Sequence, residues 1–158
     1  MEAEARREHG GAKIRPFLPV DAEQVAGILK ESPQAGDWTE ASIRESAGWR
    51  GAVALVSESE GKVAGFIIGR QVEDEAEILN LAVSPADRRK GNGGALLKAA
   101  LDEFRARQVS HVFLEVRESN ATGIAFYEKN GFSKRDNRRN YYHDPIESAI
   151  VMEKKLSP

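Results

Sequence analysis

Beyond residue 12 the apolar positions alternate between a spacing of two and a spacing of three to four, the signatures of strand and helix. Ile14 to Phe17 predicts a short strand. In VDAEQVAGILKES, Val25, Ile28 and Leu29 share one helical face behind Asp21 as N-cap. SPQAGD breaks that pattern, and WTEASIRESA predicts a second short helix beginning near Thr39. AVALVSE and KVAGFIIGRQV flank the glycine turn SEG and predict a hairpin, and AEILNLAVS predicts a further strand ending at Pro85. From Gly93 to about Gln108, Leu96, Leu97, Ala100, Leu101 and Phe104 give a helix one face to bury. HVFLEV returns as a strand, and ATGIAFYEKN as a short helix closed by Gly131 as a glycine C-cap. Two final strands, KRDNRRNYY and SAIVMEKKL, are joined by a turn around HDPIE. This order predicts an α/β (α+β) domain, a sheet with helices packed on it.

Composition narrows what such a domain can do. The chain of 158 residues fits one domain, with no internal repeat, low-complexity block or linker. Its net charge of −2 argues against a general nucleic-acid binder, so any cationic site must be local. There is no cysteine, which removes cysteine nucleophiles, disulfides and thiolate metal sites. His9, His111 and His143 are too far apart in sequence to form a local ligand pair, so no metal is expected. Residues 1–12, MEAEARREHGGA, are charged, do not resemble a secretory signal and read as a mobile tail before a domain spanning 13–158. No apolar stretch approaches the roughly 20 residues of a membrane-spanning helix, and a cytoplasmic location is expected.

The local cationic site is RRKGNGGALL. It lacks the glycine-lysine-serine/threonine of a Walker loop, and the dinucleotide fingerprint fails because its third glycine position is Leu96. What remains is R-x-x-G-x-G, met by Arg88, Gly91 and Gly93, with Gly94 added. Glycines let the backbone approach a ligand, and the following helix offers unpaired N–H groups and a positive dipole end. Arg88, Arg89 and Lys90 add three positive charges, so a pyrophosphate suits the loop. Taken alone, the run equally fits a solvated basic turn that caps a helix.

In its context, LAVSPADRRKGNGGALL resembles the acyl-CoA signature of the GNAT acetyltransferase superfamily. FLEVRESNATGIAFYEKNGF, RRNYY and SAIVM further resemble the bacterial ribosomal-protein-alanine N-acetyltransferases, over about residues 13 to 156. The resemblance implies a mixed, mostly antiparallel sheet of about six to seven strands with flanking helices and a V-shaped opening between the central strands. It implies acetyl-CoA as co-substrate, with Leu81, Ala82 and Val83 lining the pantetheine arm. Backbone amides from Arg89 through Lys90, Gly91, Asn92 and Gly93 to Gly94 would take the pyrophosphate, with Asn120 as a further cofactor contact. It also implies Glu115 as proton acceptor, Tyr127 as proton donor to the thiolate, and a protein N-terminus as acceptor, that of a small-subunit ribosomal protein.

Residue chemistry weighs on these roles separately. Glu115 stands between apolar neighbours, where burial would raise its pKa into a useful range; a solvent-facing glutamate paired with Arg117 fits the same pattern. Tyr127 on a short helix fits the core more readily than catalysis when read from its pattern alone, and Asn120 fits a helix cap. Near pH 7 about a tenth of an α-amine is neutral, against well under a thousandth of a lysine amine, so a single carboxylate suits an N-terminus better. Direct attack of the amine on the thioester is the expected reaction, with the Val83 N–H at the oxyanion; the absence of cysteine fits it, and composition leaves a serine-bound intermediate open. Tyr141 in RRNYY is taken as a substrate-side residue, although an exposed edge hairpin explains the arginines alone. SPQAGDWTE keeps little of the family's acceptor-side loop beyond Trp38, and Gly123 interrupts a helix where alanine would be easier. Two alternatives stay open: an acetyltransferase of a small amine, antibiotic or lysine side chain, and a non-catalytic acyl-CoA-binding module.

Overall fold

The computed structural model describes residues 7–9, 12–35 and 38–157. Eight strands, β1 (Arg7–His9), β2 (Ala12–Pro16), β3 (Ala52–Ser59), β4 (Lys62–Val72), β5 (Glu75–Val83), β6 (His111–Arg117), β7 (Ser133–Tyr142) and β8 (Glu147–Lys155), form one sheet in the order β1-β2-β3-β4-β5-β6-β8-β7. The helices are α1 (Ala22–Lys30), α2 (Glu40–Ala47), α3 (Asn92–Ala106) and α4 (Ala121–Lys129). The sheet exceeds the expected six to seven strands because Arg7–His9, within the expected tail, pairs antiparallel with Ala12–Ile14. Residues 1–6, 10 and 11 of that tail, and Gly36 and Asp37 of the SPQAGD break, lie outside the described residues.

All neighbouring strands run antiparallel except β5 and β6, which pair in parallel over Glu75↔His111, Ala76↔Val112 and Glu77↔Phe113 alone. Beyond Glu77 the two strands part. The register of β4 against β5 shifts between Ile68 and Gly69, which leaves Leu79 as an extra residue. A bulge of this kind bends its strand and strengthens the local twist, which turns β5 away from β6. The expected V-shaped opening is therefore built by one added residue and one short parallel ladder.

The two sheet faces are covered unequally. On one face Leu96, Leu97, Ala100, Leu101 and Phe104 of α3 join Ile124 of α4 and Val112, Leu114 and Val116 of β6 in the larger core. Full burial of each large apolar side chain contributes roughly 1.5–3 kcal/mol, so this stripe anchors α3 firmly. On the other face α1 and α2 pack over β3, β4 and β5, with Val25, Ile28, Leu29, Ile43 and Phe66 buried. There the outward residues of β6, His111, Phe113, Glu115 and Arg117, are only half-buried and floor an open cleft.

Two local expectations change in the structure. Asp21 does not cap α1 with its side chain. Its buried carboxylate takes two hydrogen bonds from the Arg15 guanidinium, both 2.8 Å, and one from the Leu18 N–H at 2.7 Å. A bidentate arginine binds more strongly than a cap amide, so the acid turns towards β2. Gly123 lies tight against its own helix cap: a Cβ there would stand 2.6 Å from the Asn120 side-chain nitrogen, so any larger residue shifts that side chain. The Gly131 stop forms as expected, with φ +92°, its N–H bonded to Glu128 O and that of Phe132 to Tyr127 O.

Candidate active site

The parted strands expose backbone groups that a closed sheet would hide. The Ser84 N–H bonds to Ala64 O at 2.8 Å on the β4 side. Because antiparallel strands alternate their pairing edges, the polar backbone groups of Val83 and Leu81 turn to the other edge, into the opening. The Val83 carbonyl is taken by Nε of Arg88 at 3.1 Å, while among the described residues no acceptor takes the N–H groups of Val83 and Leu81. Ala82, between them, is buried under the α1–α2 face and faces away.

Past β5 the chain makes a 3₁₀ turn at Pro85–Asp87 and enters α3 through Arg89 (φ +63°) and Gly91 (φ +82°). The left-handed conformation at Gly91 is one that a Cβ would strain. The Ala95 N–H is the first to reach back, to Gly91 O at 3.0 Å, so those of Asn92, Gly93 and Gly94 have no intrahelical acceptor. No atom lies within 4 Å of a Cβ built on Gly94, and one on Gly93 would meet Phe126 at 3.6 Å. Free amides, a dipole end and open space fit a pyrophosphate.

The three cations of the loop do not act alike. Arg88 turns inward: beyond Val83 O it reaches Glu31 O and Ser32 Oγ, each at 3.3 Å, and ties the end of β5 to the end of α1. Lys90 lies 3.8 Å from Asp87 in an exposed pair. Arg89 forms no ion pair among the described residues and is the loop's unengaged charge. Asn92 is buried, and its side chain donates to Asp87 O at 3.1 Å, so it would meet a ligand by its backbone alone.

On the cleft side Glu115 accepts from Arg138 at 3.3 Å and from the Tyr141 hydroxyl at 3.4 Å. The arginine beside it is thus Arg138, whereas Arg117 pairs with Glu147 and stacks on the Tyr142 ring at 4.3 Å. Tyr141 is held above its ordinary pKa by desolvation and then by the Glu115 charge, and Tyr142 is pushed up to about 12 for the same two reasons. Both phenols stay protonated at neutral pH. Burial likewise pushes the Tyr127 hydroxyl well above its ordinary value. Tyr127 sits edge-on between Phe126 (5.1 Å) and Phe132 (5.6 Å), and its hydroxyl has no protein partner among the described residues. Phe126, which a Gly93 Cβ would touch, brings this end of α4 beside the glycine loop. Asn120 caps α4, its Oδ1 accepting from the Gly123 N–H at 2.9 Å.

The structure thus gathers the loop, Leu81, Val83 and Phe126 around the opening, with Tyr127 packed against Phe126, and Glu115 with Tyr141 on the cleft side. Beside Glu115 the structure places two residues whose position the sequence does not show: Arg138, bonded to it, and Glu77, the register partner of Phe113 on the same face. Among the described residues no group of three possible metal ligands forms, and no helix is long and apolar enough to cross a membrane.

Comparison with known proteins agrees with this geometry. The model of the Acetyltransferase (GNAT) family matches residues 22–132. The [ribosomal protein bS18]-alanine N-acetyltransferase of Escherichia coli K12 is 40% identical over 131 residues, covering 82% of this chain and 88% of that protein. The crystal structure of the ribosomal-protein-S18-alanine N-acetyltransferase from Escherichia coli superimposes with a TM-score of 0.82 at 35% identity, over 93% of this chain and 95% of that one. Ard1 from Thermoplasma volcanium does so with a TM-score of 0.84 at 35% identity, over 93% and 99%. With most of its length matched and the opening built as described, the chain belongs to the GNAT acetyltransferase family and is an acetyl-CoA-dependent N-acetyltransferase.

Proposed function

We propose that this enzyme acetylates the α-amino group of an N-terminal alanine, on a small-subunit ribosomal protein, by direct transfer from acetyl-CoA. The reading rests on the 40% identity to an enzyme named for that acceptor, along 82% of the chain. The physical chemistry agrees: deprotonating an α-ammonium at pH 7 costs about 1.4 kcal/mol, within reach of one carboxylate, whereas a lysine demands over 4.

In this mechanism the amides of Asn92, Gly93 and Gly94 hold the pyrophosphate, and the N–H of Leu81 orients the pantetheine arm. Asn120 adds a contact from the start of α4. Glu115 takes the ammonium proton, through water, from the cleft side. The amine nitrogen then attacks the thioester carbonyl; the N–C bond forms, the C–S bond breaks with its electron pair on sulfur, and the second nitrogen proton leaves through water and ends on the thiol. The Val83 N–H donates to the developing oxyanion. Tyr127 donates a hydrogen bond to the departing sulfur, and its raised pKa keeps the phenol in the donating form. Tyr141 holds Glu115 in place and borders the acceptor.

The test offers short peptides beginning with alanine, serine, methionine or lysine, and small amines, together with acetyl-CoA. Turnover should be greatest on alanine-initial peptides. Turnover of small amines with none on any alanine-initial peptide overturns the acceptor assignment.

A further inference from the structure

Glu77 stands where β5 and β6 make their last paired contact. Register partners in a sheet share a face, so Glu77 lies on the cleft side with Phe113, and Glu115 is two residues further along. Strand spacing and rise put the two glutamate α-carbons about 8 Å apart, close enough for both side chains to reach one small group. The charged and titratable groups facing Glu77 come from three strands: Arg70 on β4, Glu115 on β6, and Arg138 and Tyr141 on β7. None of them bonds to it. Arg70, directly across the ladder, lies over the Trp49 ring at 5.1 Å, and Arg138 is bonded to Glu115. Glu77 accepts no hydrogen bond and forms no ion pair among the described residues. Desolvation, and then the Glu115 charge, raise its pKa, with Arg138 opposing. Two carboxylates on one face, one of them with no protein donor among the described residues, form a local negative site that favours a cation entering from outside.

We propose that Glu77 seats the acceptor's ammonium group: with Glu115 it holds the incoming amine as a cation at the mouth of the opening before the proton leaves. This deepens the acetyltransferase reading and rests on an amine acceptor that arrives protonated. Glu77 is then a recognition residue, and Glu115 remains the base.

The experiment compares wild type and Glu77→Gln on the best alanine-initial peptide. With partial screening by solvent, KM should rise about 5- to 10-fold while kcat stays within about 2-fold. The KM ratio should shrink as salt increases. It should also shrink above about pH 8, where the amine becomes neutral, and at acid pH, where Glu77 takes up a proton sooner than an ordinary glutamate. Because Glu77 is exposed and the replacement is isosteric, the variant should fold and bind acetyl-CoA normally, which calorimetry checks. Unchanged KM overturns the proposal while leaving the peptide assignment intact, and so does a fall in kcat alone. If small amines prove to be the acceptors, the peptide assignment fails and the same KM comparison on those amines still decides the role of Glu77.

Discussion

Replacing Glu115 by glutamine removes the proton acceptor while preserving side-chain length and the half-buried site on β6. Little stability should be lost. The Arg138 partner is 55% exposed and recovers water when the pair is broken, so the change should stay below about 1 kcal/mol. In a domain of this size that is a melting shift of no more than about 4 °C. Cofactor affinity should also hold, because the amides of Asn92 to Gly94 belong to the first turn of α3, apart from the cleft floor. Turnover behaves differently. General-base catalysis is worth about 100- to 10,000-fold, and at pH 7 about tenfold of any loss reflects the ammonium fraction that must be neutralised. The deficit at pH 7 should therefore exceed 100-fold and narrow by about tenfold towards pH 9, where the amine deprotonates unaided. The assay is kcat/KM on an alanine-initial peptide from pH 6 to 9.5, beside calorimetry of acetyl-CoA. A variant with full rate at pH 7, or a deficit that ignores pH, refutes Glu115 as the base.

Tyr127→Phe keeps the packing against Phe126 and Phe132, so stability should hold within about 1 kcal/mol while kcat falls about 10- to 100-fold; single-turnover kinetics with thermal melting separate the two. Asp21→Asn breaks the buried pair with Arg15, which keeps Glu58 as a second partner, and should cost about 1–3 kcal/mol in chemical denaturation. Burial works against the Asp21 charge, but Arg15 and the Leu18 amide outweigh it and hold the folded pKa below the ordinary value. Its stabilisation is then fully present above the unfolded pKa of about 4 and lost as pH falls through the lower folded value, so acid unfolding below about pH 4 should be blunted in the variant. Arg88→Lys keeps the charge and loses the fork that reaches Val83, Glu31 and Ser32. Acetyl-CoA should bind about 5- to 50-fold more weakly by calorimetry, and wild-type affinity would show that charge alone matters there.

What could be read in the chain without its fold is what depends on neighbours in sequence. The stripe of Leu96, Leu97, Ala100, Leu101 and Phe104 announces α3, and the glycines before it announce a loop whose amides stay free, because helix ends leave them unpaired wherever they occur. The β-hairpins and the Gly131 stop are local in the same sense, and the family resemblance of LAVSPADRRKGNGGALL is carried by one continuous stretch. Asp21 stands at the N-cap position of α1 as its sequence suggests, but its carboxylate goes to Arg15, on a strand that only the fold brings to it. Tertiary structure alone decided the rest. The opening exists because Leu79 is extra in the pairing of β4 with β5, and because β5 and β6, almost thirty residues apart, share three register pairs. Arg88 reads as a phosphate cation until the end of α1 is packed beside it. Glu115 finds Arg138 rather than Arg117, and Glu77 comes to face Glu115, because strand register sets which side chains share a face and a one-residue slip would reverse it.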